Sequence, residues 1–324
     1  MTRASALLVT VLWVVLACTE SGSVGPGPGP GPGPGLGANA SLGGWRPFPG
    51  DNPWNQPIDR APVDPSSDAL IASIGLSEGL HPDFGANYSG GPFGIPYVVV
   101  DSTAPGLPVS FVYADESDSG PYPIPPGAPI EGGNASRGDR HVLVVDRDRW
   151  RLFELFAAYP PTLTPNWTAG SGAVFDLGSN DLRPAGWTSA DAAGLPIFPG
   201  LVRYDEVVEG GVIRHALRFT VNNTRRGYVF PARHWASSDT NPLLPPMGMR
   251  VRLKGGFDIS GFPPTARVIL QALKTYGMMV ADNGGDWFIS GAPDARWNDD
   301  ELNTLKQVPG GSFEVVRMGT VVTP

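Results

Sequence analysis

Cysteine is all but missing from this chain: 324 residues hold one, Cys18. A single thiol excludes disulfides and cysteine-based zinc sites, and it leaves no thiol nucleophile beyond the N-terminal segment. Positive charge is also scarce. Lys and Arg number 23 against 31 Asp and Glu, for a net charge of -8, and no basic run offsets the deficit. Phosphate backbones demand clustered cations, so nucleic acid is excluded as a partner. Several catalytic signatures are missing too. AGSGAVF at 169–175 reads as a loop entering a strand rather than as a nucleophile elbow. There is no P-loop, dinucleotide fingerprint or His-Glu-x-x-His. Charged residues make up only 17%.

What is abundant is Gly, at 43, and Pro, at 36, within a chain that is 41% hydrophobic. Many short strands joined by turns suit that composition better than a helical bundle. Strand candidates lie at 97–101, 108–114, 141–146, 150–159, 172–177, 201–208, 212–221, 227–232, 249–254, 278–281, 287–290 and 313–318. Two helices stand out. In 265–276 the apolar residues Val268, Ile269, Ala272, Leu273 and Tyr276 recur at helical spacing, and Gly277 ends the run. A second spans 299–307, where Asn298 and Glu301 form a capping box. A short third covers 66–74. The expected fold is mainly β, an antiparallel sandwich or distorted barrel with two or three short helices.

Residues 1–17 carry Arg3 and then the apolar run ALLVTVLWVVLA, too short for a comfortable membrane span and consistent with a signal peptide. Val15-Leu16-Ala17-Cys18 resembles the bacterial lipobox, which implies cleavage before Cys18 and lipidation of its thiol. Thr19 in the next position implies export to the outer membrane. Residues 25–35 alternate Gly and Pro, a solvated extended tether. The expected organisation is a signal at 1–17, a lipidated tether at 18–44 and one β-rich domain at 45–324. Contact with a membrane is expected only through the lipid.

The stretch RYDEVVEGGVIRHALRF, at 203–219, reads as a hairpin about Gly210-Gly211. In that register one face is apolar apart from Glu206 and His215, which stand opposite each other at roughly 4.5–5.5 Å between Cβ atoms. The other face sets Asp205 between Arg214 and Arg218. A carboxylate and an imidazole sharing an apolar wall stabilise each other's charge and tune each other's pKa; a buried pair that merely satisfies itself is the competing reading. Glu154 shares its row with Trp150, Leu152 and Phe156. His234 follows Tyr228, Phe230 and Ala232, and His141 opens HVLVVD. These residues are candidates to line one concave face.

His-Ala-Leu at 215–217, Pro-Ala-Arg-His at 231–234 and ALKTYGMMVADNGG at 272–285 resemble a block in exported bacterial proteins. The resemblance implies that Glu206, His215, His234 and Asp282 belong to one site. Paired carboxylates with histidines suit acid–base chemistry without a cofactor, and glycoside hydrolysis uses two carboxyl groups flanking the bond. Trp54, Trp167, Trp187, Trp235, Trp287 and Trp297 are candidates to stack on sugar. The leading expectation is a polysaccharide-acting hydrolase at the cell surface, with Glu154 and Glu206 as the reacting pair. His215 would tune Glu206, with His141, His234 and Asp282 in support. A non-catalytic glycan-binding or envelope protein, a polysaccharide lyase and a cupin-like metal enzyme stay open. No cofactor is expected, with a divalent metal as the open alternative, since His and Glu on neighbouring strands can bind zinc, iron or manganese.

Overall fold

The structure is a computed structural model that describes residue 1 and residues 33–161 and 166–324. The signal segment, Cys18 and most of the Gly-Pro repeat lie outside the described residues. Along the chain run β1 (Gly37–Ala38), α1 (Ser67–Ile74), β2 (His81–Asp83), β3 (Gly85–Tyr88), β4 (Gly91–Phe93), β5 (Tyr97–Val100) and β6 (Val109–Phe111). Next come β7 (Val142–Asp146), β8 (Arg151–Phe156), β9 (Trp167–Ala169), β10 (Ser171–Asp176), β11 (Leu217–Val221) and β12 (Arg250–Leu253). The chain closes with α2 (Pro264–Thr275), β13 (Met278–Asn283), β14 (Phe288–Ser290), α3 (Asp299–Asn303) and β15 (Phe313–Val315).

The fold is mainly β. Five strands order as β1-β5-β7-β8-β10 and six as β15-β12-β13-β11-β14-β2; among the described residues neither sheet closes. Both are mixed rather than antiparallel, because β5 runs parallel to β7, β11 to β13 and β14 to β2. Parallel neighbours need long connections, and the chain supplies them: 101–141 between β5 and β7, and a stretch including α2 between β11 and β13. Within β7 the two-residue period separates two environments. Leu143 and Val145 enter a core shared with residues of the six-stranded sheet, including Leu217, Phe219 and Val251. Val142 and Val144 face a second core with Tyr122, Ile124 and Trp167. The five-stranded sheet is therefore buried on both faces, which explains why its strands read as continuous apolar runs.

α2 buries Ile269, Leu270, Ala272 and Leu273. Gly277 ends it at φ +67°, and a Cβ there would sit 2.2 Å from the Val251 carbonyl oxygen. Only glycine fits that approach. The cap of α3 is as expected, with the Asn298 side chain accepting from the Glu301 N–H.

Three further expectations need correction. The domain does not begin at 45, since Gly37 and Ala38 pair with Val99 and Val98; a small, polar segment gives no periodic sign of edge pairing. Residues 227–232 make only isolated bridges from Tyr228 to Met247 and Val322. The hairpin at 203–219 does not form. Asp205–Glu209 is one π-helical turn, closed by Gly210 N–H donating to the Asp205 carbonyl at 2.8 Å. β11 takes its partners from β13 and β14 instead.

Candidate acid–base site

Between β10 and β11 the segment 186–198 crosses from one sheet to the other, and its backbone gathers the chemistry. The Ala190 carbonyl faces His141 Nε2 at 3.1 Å, and the Ala192 carbonyl faces His234 Nδ1 at 2.8 Å. Ile197 and Phe198 N–H groups donate to Glu154 at 2.8–3.0 Å. Between them, buried Asp191 receives Arg218 Nε at 3.0 Å and Nη2 at 2.9 Å, a two-point pairing. Arg218 Nη1 donates to the Ser290 hydroxyl. Gly194, at φ +68°, lets this segment run against 233–234; a Cβ there would come within 2.6 Å of the Trp187 carbonyl oxygen and 3.1 Å of Arg233 Cβ. Arg233 and His234 N–H groups both donate to the Ala193 carbonyl.

Asp282 reaches the same region through a bulge. Along the β11–β13 ladder Phe219 pairs with Val280 but Thr220 pairs with Asp282, so Ala281 is extra. A bulge bends its strand and re-aims the next side chain. It also frees the Ala281 carbonyl, which accepts from Ala193 N–H at 2.9 Å and ties strand to segment. At the other side Glu131 Oε2 faces His141 Nδ1 at 2.7 Å, with the glutamate side chain 26% exposed.

These groups do not share protons evenly. Burial pushes Asp282 up to about 7, helped by the nearby Asp191 charge and opposed by Arg218. Burial also pushes Glu154 up to about 7, against the two backbone N–H donors. Asp191 is raised by burial despite Arg218. Glu131 goes the other way: burial would raise it, but the charge and hydrogen bond of His141 hold it below its ordinary value. His141, whose burial would lower it, is lifted by Glu131 to about 9. Both of its ring nitrogens face acceptors, which suits an imidazolium.

Glu206 and His215 do meet, with His215 Nε2 3.0 Å from Glu206 Oε2. The contact arises across the π-helical turn rather than across a hairpin. Arg203 explains the local structure: its Nη2 lies 2.6 Å from Glu206 Oε1, three residues on, a spacing that places side chains together on a helical turn and apart on a strand. Arg203 is 1% exposed, and its Nε sits 3.8 Å from Asp205 Oδ1. Burial would raise Glu206, but Arg203 and His215 hold it low. Asp205 Oδ2 accepts from the Ser41 hydroxyl and Leu42 N–H, beside a 220 Å³ pocket that Tyr97, Tyr204, Glu209, Asp294 and Arg296 also line. Arg214 and Arg218 do not flank Asp205 as the hairpin required; Arg218 belongs to Asp191.

Of the six residues singled out from sequence, Glu154, His141, His234 and Asp282 gather around the 186–198 segment, while Glu206 and His215 form a separate cluster with Arg203. Trp54, Trp167, Trp287 and Trp297 are buried and serve packing rather than stacking on sugar. Trp187 and Trp235 are half-buried, with Trp235 stacked on His234 at 4.9 Å and Trp187 beneath the Arg183 guanidinium at 5.6 Å. Sequence reasoning missed Asp191, Glu131 and the inward role of Arg218. A signal existed only for Arg218, a charge inside the apolar strand LRFTV. Among the described residues no three His, Cys, Asp or Glu side chains converge as a metal-holding group. No helix of the described residues is long and apolar enough to cross a membrane. Comparison with protein-family models, curated proteins and solved structures found no match.

Proposed function

We propose that this chain is an exported, envelope-tethered enzyme that hydrolyses a polysaccharide, with Asp282 as proton donor and Glu131 as the ionised carboxylate. One observation carries the reading. Two carboxyl groups within the field of the same Arg218 and His141 are displaced in opposite directions, one to about 7 and one below its ordinary range. Environments that push paired acids apart assign the acid and the base. Asp282 protonates the glycosidic oxygen as the C–O bond breaks. Glu131 either takes the proton of the attacking water or attacks the sugar carbon itself, with water then releasing the sugar. His141 stays protonated at neutral pH and keeps Glu131 ionised, which favours hydrolysis over a lyase route needing a neutral histidine base.

Glu154 and Glu206 are set aside as the reacting pair. Glu154 is fully buried with both oxygens held by backbone N–H groups, and Glu206 is tied between Arg203 and His215. The same reading takes the two sheets as the layers of a sandwich, on the strength of their shared core. It takes Cys18 as the lipid anchor, on the strength of the Val-Leu-Ala-Cys sequence.

The test is a polysaccharide panel scored for new reducing ends and for unsaturated products, comparing the full chain with Asp282→Asn and Glu131→Gln. Hydrolysis by wild type, lost in both variants, is the expected result. Full activity in Asp282→Asn removes the acid, and unsaturated products replace hydrolase by lyase. The half-exposed Trp187 and Trp235 beside His234 favour a second reading, a glycan-binding protein without chemistry; it predicts retained polymer binding in every variant and no product from any polymer.

A further inference from the structure

Arg250 stands apart from most of the other inward-facing arginines. Arg183, Arg203, Arg218 and Arg252 each face a carboxylate within 4 Å. Arg140 does not, but it lies over the Tyr159 ring at 4.3 Å. Arg250, at the start of β12, bonds only to carbonyls. Its Nε and Nη2 donate to Tyr276, Nη2 also to Gln56, and Nη1 to Pro53, at 2.6–2.9 Å. A guanidinium has five N–H donors, so one on Nη1 is uncommitted. Burial alone pulls this group down to about 10, the mark of a cation without a counter-ion.

The side chain lines a 490 Å³ pocket whose walls are chiefly apolar, with Ile58, Leu182, Phe230, Val316 and Met318. That volume is within the usual range for small-molecule sites. Arg317 and Asp51 also line it, and Asp51 Oδ1 is taken up by the Asn180 amide. The lining therefore carries two guanidinium groups against one carboxylate. Phe230, 64% exposed, and Leu182, 42% exposed, stand open to solvent.

We infer that this pocket binds a small organic monoanion, a carboxylate carried on an apolar aliphatic or aromatic body, with the carboxylate on the free Arg250 N–H and the body against Leu182, Phe230 and Met318. One uncommitted donor suits a single carboxylate oxygen. The apolar walls disfavour inorganic phosphate and free sugars, which would lose water there without replacement. The residues differ from those of the acid–base site, so the inference stands or falls independently of the proposed function.

The experiment is calorimetric titration of the full chain with 4-phenylbutyrate, 4-phenylbutanol and inorganic phosphate. Saturable binding of the carboxylate is expected, about ten-fold or more tighter than the alcohol, the worth of one charge-assisted hydrogen bond. Phosphate should not bind. Arg250→Met should abolish the preference for the acid, with the melting temperature as its folding control. Leu182→Asp removes part of the apolar wall and places a negative charge at the mouth; it should weaken both ligands, and 4-phenylbutyrate by about ten-fold more than the alcohol. Equal binding of acid and alcohol, tighter binding of phosphate, no saturable binding, or a Leu182→Asp protein with unchanged affinity for the acid would each overturn the inference.

Discussion

Two regions bury an arginine against a carboxylate near a histidine, and their charges resolve in opposite ways. Around Arg203 every member comes from the segment 203–215. The arginine's hold on its proton is strengthened and Glu206 is held low, so each charge supports the other. Around Arg218 the members come from five distant segments, and carboxyls outnumber cations. Glu154, Asp191 and Asp282 are all pushed up, because Arg218 and His141 cannot compensate every one of them once burial has removed water. A local cluster that balances its charge stabilises a turn. An assembled cluster with surplus acid keeps protons available near neutral pH, which is what acid–base work requires.

Breaking the central arginine should have the largest effect. Arg218→Met leaves Asp191 buried and unpaired, and should cost about 3–5 kcal/mol in chemical denaturation. Arg203→Met leaves Glu206 its contact with His215, and should cost less; equal losses would erase the contrast. Next comes Asp282→Asn, expected to lower the rate of polymer cleavage by about 10²–10⁴-fold with little change in melting temperature. Glu206→Gln should reverse that pattern, losing about 1.5–3 kcal/mol of stability while cleavage persists.

The smallest effect is a slope. Glu154 and Asp282 are raised from ordinary carboxylate values to about 7, so the folded state holds protons that the unfolded state has released. Their contribution to stability is therefore full below about pH 4 and is lost as pH rises towards 7. His141, raised from 6.5 to about 9, adds stability that is full below 6.5 and fades as pH climbs through 9. Glu131 and Glu206, held low, lose theirs only on the acid side, below about pH 4.5. Melting temperatures across pH 4–7 should fall less steeply in Glu154→Gln than in wild type. Parallel slopes would show that Glu154 does not hold the extra proton.

Much of the framework was legible from neighbouring residues. The core strands of the five-stranded sheet, α2 with its Gly277 stop and the Asn298 cap all appear where their local patterns place them, because periods and caps are short-range properties. The Glu206–His215 contact was foreseen, but by a register argument on a hairpin that does not exist. The apolar alternation of 203–219 is shared by a strand and by a turn anchored on Arg203, and the buried arginine decided for the turn. Asp191 and Glu131 left no trace in their own surroundings, since SADAAG and PIEGGN read only as loops.

By itself the sequence determined the β-rich character, the acidic charge, the lone thiol and the positions of most strands and helices. These follow from composition and from interactions spanning a few residues. Only the tertiary structure decided that Asp191 would hold Arg218, that Glu131 would hold His141, and that Asp282 would keep a proton that Glu131 gives up. Those outcomes depend on desolvation and on partners tens of residues away, and both exist only once the sheets have packed.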